Sequence, residues 1–596
     1  MGDERELPWA PTRRDFLRAA GLSALYLEFM WSAAAAAAPV APARSRGKRG
    51  HNILLIVTDQ ERHLDRPPPG NSLPGRERLE ELGTSFTNHQ IASCVCTSSR
   101  SNIYTGLHIA QTRMFDNIAW PWIKSLSTDI PTLGHMMNKL GYYSAYQGKF
   151  HMNHELEESQ PPGAPPKLIG RETMESYGFF DYTGVGDIIG NTLGGYLNDP
   201  WIAAFSIRWL KERGQALNAA GTPWFFAVNF VNPHDVMYFN TDDPGKPVQE
   251  EPWLLTPIAR APNYGLYKQE WDLPLPETRK QAWDAANRPK AHFNYQEARG
   301  GLVGRIPNED ERWRRLQNYY FNCIQDMDRH VSSVIDELEA LGMLENTIVV
   351  HTSDHGELAG AHGMSGKGAT AYKEQNQVPM HVVHPDVEGG RKCQALTSHL
   401  DLTPTLLSMA HGDDSNRSEM LDKLKGRDYS GVLNEPARAG VNDVREAALY
   451  CYNMFAYQDP NFILDVAKTI QAKGKKDGLA DLRRRGVKPD LKSHRGAIRS
   501  VFDGRYKFSR YFSPLEFNKP ETIERLTEVN DLELFDRETD PNEAVNLAAD
   551  LAKNRDLILA MNAKLNALID GEVGEDIGQM FPKAPGVNWA ISKFDP

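Results

Sequence analysis

Four apolar runs of six to eight residues, each breaking into polar residues at its C-terminal end, constrain this chain more than anything else in it. His51-Asn-Ile-Leu-Leu-Ile-Val57 runs into Thr58, Asp59 and Gln60, and Gly141-Tyr-Tyr-Ser-Ala-Tyr146 into Lys149 and His151. Trp224-Phe-Phe-Ala-Val-Asn-Phe-Val231 runs into Pro233 and His234, and Thr347-Ile-Val-Val-His-Thr352 into Asp354 and His355. Short continuous apolar runs are the mark of strands buried on both faces. Helical patterns lie between them, from Pro131 to Leu140 and from Trp313 to Leu341. Strands alternating with helices predict an α/β fold: a large, mostly parallel sheet with helices on both faces. In such sheets ligands bind beyond the carboxyl ends of the strands, so the four polar endings are expected to converge on one site.

Length divides the rest. At 596 residues the chain exceeds what one hydrophobic core usually supports, which predicts at least two packed units. Residues 50–436 are expected to form the sheet-containing catalytic domain. Within it, 235–312 is rich in Pro and aromatics and reads as an inserted loop covering the site. Residues 437–596 read as a smaller α+β unit with an antiparallel sheet. Its strand-like runs are Glu446–Tyr452 and Ala497–Phe502, the latter turning at Asp503-Gly504 into Arg505–Tyr511, and a helix over Leu551–Leu568 closes it. Gly412–Pro436 is polar and turn-rich, and no internal repeat is visible.

The N-terminus reads as an address. Thr12-Arg-Arg-Asp-Phe-Leu-Arg18, the weakly apolar stretch from Ala19 to Ala38 and small residues at Ala36, Ala38, Ala41 and Ala43 resemble a twin-arginine signal peptide over residues 1–43. This predicts folded export by the twin-arginine (Tat) machinery to the periplasm or beyond. Five cysteines, at 94, 96, 323, 393 and 451, are too few and too scattered for a disulfide framework. A mean hydropathy of −0.52 excludes a multi-span membrane protein. The net charge of −11 argues against nucleic acid as a partner, and an anionic substrate would need a bound cation or local basic residues to attract it.

Cys94-Val-Cys-Thr-Ser-Ser-Arg-Ser-Asn-Ile-Tyr-Thr-Gly106 joins these observations. Cys96 is expected just ahead of a helix, where unpaired N–H groups and the dipole favour an anion. The hydroxyl and amide residues after it would supply caps, and Gly106 would end the helix.

This run resembles the signature Cys-x-Pro-Ser-Arg of the sulfatase family, within the alkaline-phosphatase-like superfamily. Gly148-Lys-Phe-His151, Pro233-His234, Ser353-Asp-His-Gly356 and Gly363-Met-Ser-Gly-Lys367 are similar to further elements of that family, in its order, as is Leu534-Phe-Asp-Arg-Glu-Thr-Asp-Pro. The resemblance implies a metal-dependent hydrolase of sulfate esters whose Cys96 is oxidised to formylglycine by a maturation enzyme. It implies one divalent ion held by Asp59, Gln60, Asp354, His355 and the modified side chain at 96. Oxygen-rich ligation suits Ca²⁺ or Mg²⁺, while the imidazole of His355 admits Mn²⁺ or Zn²⁺. Arg100, Lys149, His151, His234 and Lys367 would form a cationic ring around the sulfuryl group and the leaving group. Ser98 stands where the signature has proline. The Asp59-Gln60 and Asp354-His355 pairs are similar to those of choline sulfatases and phosphonate monoester hydrolases, so two alternatives stay open. One is phosphodiester or phosphonate-monoester hydrolysis on the same scaffold; the other is an exported, non-catalytic metal-binding homologue with unmodified Cys96. A sulfated small molecule or carbohydrate is the expected substrate.

Overall fold

The computed structural model describes residues 50–581, apart from 66, 121–122, 158–169, 185–191, 250–256 and 456. The export-signal reading, on residues 1–43, lies outside the described residues. A seven-stranded sheet runs in the order β4-β5-β1-β6-β7-β2-β8. Its strands are β1 (Asn52–Asp59), β2 (Thr84–Phe86), β4 (Tyr143–Gly148), β5 (Trp224–Pro233), β6 (Thr347–Ser353), β7 (Met380–Val383) and β8 (Arg391–Cys393). The four expected strands form one parallel block, in which β1 pairs with β5 on one side and β6 on the other, and β4 pairs with β5. Only β7 runs against the other six.

The central position of β1 explains its unbroken apolar run. Ile53, Leu55 and Val57 pack into the core on one face of the sheet, Leu54 and Ile56 into the core on the other. The second of these cores is closed by the Asp310–Ala340 helix through Met327, Val331, Val334, Ile335 and Leu338, and by Ile202 and Trp209 of the Gly194–Trp209 helix. The first is closed by the helices Cys96–Thr105, Leu133–Lys139 and His399–Met409, through residues such as Ile103, Met137 and Leu406.

The second sheet is the antiparallel meander β10 (Ala448–Asn453), β11 (Ala497–Phe502), β12 (Tyr506–Phe512) and β13 (Asp531–Asp536). Gly504, at φ +97°, makes the turn between β11 and β12. The Leu551–Leu568 helix has the expected bounds. Phe508, Leu534, Ile558 and Leu565 share an apolar cluster with Ile53 and Leu55 of the large sheet, so the core runs without a break from one sheet to the other. The helices Pro460–Lys473 and Lys475–Arg485 had no counterpart in the sequence reading. Phe462, Ile463 and Leu482 from this pair pack on Ala298 and Leu302 of the Lys290–Val303 helix, fixing one end of the 235–312 excursion. All five cysteines are buried free thiols. No helix among the described residues is long and apolar enough to cross a membrane.

Candidate active site

The polar ends of β1, β4, β5 and β6 meet the start of the Cys96–Thr105 helix. Cys96 is the first residue of that helix, with the extended Val95 as its N-cap, not a residue ahead of it. The expected side-chain caps are absent because tertiary partners take the hydroxyls: Thr97 Oγ1 donates to His151 O at 2.8 Å, Ser99 Oγ donates to Asp354 O, and Ser101 Oγ donates to Ser98 O at 2.7 Å. Gly106, at φ +68°, does end the helix, its N–H donating to Asn102 O.

Cys96 Sγ lies 3.1 Å from His355 Nε2 and 3.7 Å from Asp59 Oδ1, and His355 Nε2 is 3.6 Å from Asp354 Oδ1. One donor atom from each of Asp59, Cys96, Asp354 and His355 lies within 4.8 Å of the others, and all four residues are buried. His355 Nδ1 faces Gly356 O at 3.0 Å and so carries the proton, which leaves the Nε2 lone pair aimed at the cluster.

Arg100, one turn along the helix, serves this cluster from beneath. Its Nε donates to Asp354 Oδ2 at 2.9 Å and its Nη2 to Asp59 Oδ2 at 3.0 Å, while Nη1 reaches Lys149 O at 2.8 Å and Asn229 Oδ1 at 3.0 Å. The guanidinium therefore clamps the two carboxylates together. Asn229, itself held by Tyr104 OH at 2.8 Å, was not singled out from the sequence, although a lone amide inside the run Trp224–Val231 was the available signal.

Lys149 Nζ sits 2.5 Å from Asp59 Oδ2. Its placement depends on Gly148, at φ +89°, where a Cβ would come within 1.9 Å of Asn229 O. Lys367 Nζ contacts Gln60 Oε1 and lies 2.8 Å from Met237 Sδ. Gln60 Nε2 donates to Glu357 Oε2 at 2.5 Å, and the other oxygen of Glu357 accepts from Ala359 N and Gly366 N. Gln60 thus turns its oxygen to Lys367, and Glu357, three residues past Asp354, fixes that orientation. His151 and His234 are both buried beside this group, on residues following β4 and β5, and Nδ1 of His234 is without a hydrogen-bond partner among the described residues. The structure brings all ten predicted site residues into one region: Asp59, Cys96, Asp354 and His355 at its centre, Arg100 below, and Gln60, Lys149, His151, His234 and Lys367 around it.

The electrostatics separate the two carboxylates. Burial works against ionisation of Asp59, but Lys149, His234, Arg100 and Lys367 hold it well below the usual carboxylate range. Burial and the neighbouring charge of Asp59 push Asp354 up to about 7. Burial also pulls His355 down, and burial with the nearby lysines pulls His151 and His234 far down, so these imidazoles are neutral. Two rigidly held carboxylates, a neutral imidazole aimed inwards and the side chain at 96 form a donor set that fits a divalent cation.

Comparison with known proteins agrees with this geometry. The choline-sulfatase of Rhizobium meliloti is 26% identical over 381 residues, 60% of this chain and 67% of that protein. The structure of BT1596, a 2-O GAG sulfatase, shares the fold with a TM-score of 0.60 at 18% identity, covering 90% of this chain and 99% of that one. The phosphonate monoester hydrolase of Silicibacter pomeroyi does so with a TM-score of 0.58 at 19% identity, covering 88% and 96%. The family model for Sulfatase matches residues 51–412. That span includes every residue gathered around Cys96, from Asp59 to Lys367, and by it the chain belongs to the sulfatase family.

Proposed function

We propose that this enzyme hydrolyses sulfate esters at position 96, with Cys96 converted to formylglycine and one divalent ion held by Asp59, Asp354, His355 and the side chain at 96, Ca²⁺ being the favoured ion. The observation that carries the reading is the convergence of those four side chains, with Lys149, Lys367, His151 and His234 packed around them. When in place, the ion and the aldehyde hydrate at 96 supply an oxygen nucleophile at neutral pH and a route for releasing sulfate without attack by water. The chain's own residues prepare this. Arg100 fixes both carboxylates, so neither reorganises when negative charge arrives. Lys149 keeps Asp59 ionised and presents positive charge to the sulfuryl oxygens. His151, buried and neutral, orients the side chain at 96. Lys367 holds a proton at Nζ beside the departing oxygen, with neutral His234 as its hydrogen-bonding neighbour.

The test has two readouts. The tryptic peptide Leu79–Arg100 from protein made in its native host should show the mass loss for thiol to aldehyde at position 96 and none at Cys94. The same protein should release sulfate from sulfate esters faster than it turns over phosphodiesters or phosphonate monoesters. Active protein with an intact thiol at 96 would overturn the mechanism. Faster phosphonate turnover would favour the second reading, which rests on the Asp59-Gln60 and Asp354-His355 pairs. Export by the twin-arginine machinery belongs to the same proposal: Arg13→Lys with Arg14→Lys should retain the protein in the cytoplasm, because the receptor reads paired guanidinium groups. Unchanged export of that double variant would show the N-terminus to be something else.

A further inference from the structure

The Lys290–Val303 helix carries Arg299 to the wall of a cavity of about 320 Å³, which is also lined by Trp283, Gln296, Arg305, Trp313 and Ser365. Arg299 is only 6% exposed. Its Nη2 donates to Met237 O at 3.1 Å, its Nε has no hydrogen-bond partner, and no carboxylate among the described residues comes within 4.0 Å of it. A guanidinium withdrawn from water without a counter-charge is costly. Other buried arginines of this protein meet that cost with carboxylates: Arg312 with Asp242 at 2.6 Å, Arg445 with Asp401 at 2.8 Å and Arg499 with Asp576 at 2.7 Å. Arg510, which has none, is fully enclosed beside Asn562 and Asn566 in the second sheet. Arg305, across the cavity, is already neutralised by Glu297 at 2.6 Å. Arg299 therefore combines an unpaired buried charge with an opening that can admit an anion.

That opening adjoins the active site. Arg299 lies against Gly366, where a Cβ would come within 2.9 Å of its Nε, and Gly366 precedes Lys367. Met237, whose carbonyl Arg299 holds, puts its Sδ 2.8 Å from Lys367 Nζ and follows His234 in the same 3₁₀ turn. Met237 and Tyr238 are half-buried, forming a rim between the two. Trp283 is half-buried as well and offers an aromatic face at the cavity wall. We infer that this cavity receives the alcohol part of the substrate, and that this alcohol is a sugar bearing a second anionic group, a sulfate or a carboxylate, bound by Arg299 with the sugar ring against Trp283. The inference rests on the reading that a sulfate ester is cleaved at position 96.

Two matched probe pairs test it: glucosamine 6-O-sulfate against glucosamine 2-N,6-O-disulfate, and galactosamine 6-O-sulfate against the same sugar linked to an unsaturated uronate. Binding to Cys96→Ala protein is measured by calorimetry and turnover by the mature enzyme. At least one doubly anionic member should bind more than tenfold tighter than its partner. Arg299→Gln should erase that preference through KM with little change in kcat, and Arg299→Lys, which keeps charge but not the fork, should restore part of it. Trp283→Ala, at a half-buried position, should raise KM for the sugars if Arg299→Gln fails to fold. No preference in either pair, or equal losses for both members, overturns the subsite while leaving the sulfatase reading intact. Discrimination by Arg299 in the binding experiment without turnover of any ester by mature enzyme would overturn the sulfatase reading and leave the subsite standing.

Discussion

Replacing Arg100 by methionine tests the claim that one guanidinium organises the centre of this site. The side chain is fully buried and makes four hydrogen bonds, two of them to ionisable carboxylates. Removing one partner of a buried ion pair costs about 3–5 kcal/mol. The two carboxylates do not suffer alike. Asp59 keeps Lys149 at 2.5 Å, whereas Asp354 is left with Gln60 N at 3.1 Å and the neutral imidazole of His355. The loss is therefore that of one pair, borne by Asp354, and at neutral pH protonation of that carboxyl caps it. Unfolding entropy grows by about 2 cal/mol/K per residue, or about 1.2 kcal/mol/K for a unit of this size, so the melting point should fall by about 3–4 °C. Scanning calorimetry in EDTA reads that shift, and sulfate release reads the second consequence, loss of hydrolysis. Arg100→Lys should keep charge in the pocket yet remain inactive, because an ammonium cannot span both carboxylates. Arg100→Met protein with the parental melting point and full activity would refute the clamp.

Asp354→Ala should abolish hydrolysis and divalent-ion binding together while the protein stays folded; calorimetric titration with Ca²⁺ and Mn²⁺ checks this, and retained binding would remove Asp354 from the ligand set. Glu357→Gln should let Gln60 rotate away from Lys367, lowering kcat by about 10- to 100-fold with the ion still bound; an unchanged kcat would show that the Gln60 orientation is idle. His399, whose Nδ1 lies 3.1 Å from Ser99 Oγ, is held down to about 3 by burial. A depressed histidine binds fewer protons folded than unfolded between pH 3 and 6.5, so its contribution is full above 6.5 and lost as pH falls through that window, by about 1.4 kcal/mol per unit. His399→Asn should accordingly lose about 3 kcal/mol less than the parent between pH 8 and pH 4, seen as a smaller drop in melting point; parallel acid limbs would refute the assignment.

Much of this site was legible before any coordinates because parallel sheets impose a direction. A buried parallel strand reads as an apolar run, its C-terminal end is where a ligand binds, and four such runs ended in Asp59, Lys149, His234 and Asp354. Nothing in that argument required knowing which strand lay beside which. What stayed hidden was the destination of each polar atom. Ser99 and Thr97 have the composition of helix caps, yet Asp354 O and His151 O take their hydroxyls, because those carbonyls emerge from strand ends that only the folded sheet places there. Arg100 reads as a charge for the substrate, yet it is spent on two carboxylates separated from it by 41 and 254 positions in the chain.

The same limit explains the long excursion over residues 235–312 and gives it a purpose. Its aromatics and arginines are individually indistinguishable from those of any folded loop, and local pattern could not show that the Lys290–Val303 helix packs on helices more than 150 residues further on. Once that packing is in place, Tyr295 OH accepts from Lys367 N at 2.9 Å and Arg299 holds Met237 O. The helix thereby supports the one flexible cation of the ring from behind while setting a second, unpaired cation beside the opening. The large sheet supplies the chemistry from short segments at its strand ends. The excursion, fixed by the C-terminal half, supplies the wall against which the substrate's remaining atoms must fit. A change of substrate preference would then be made by substitutions in residues 283–305, with Asp59, Asp354, His355 and Arg100 left untouched.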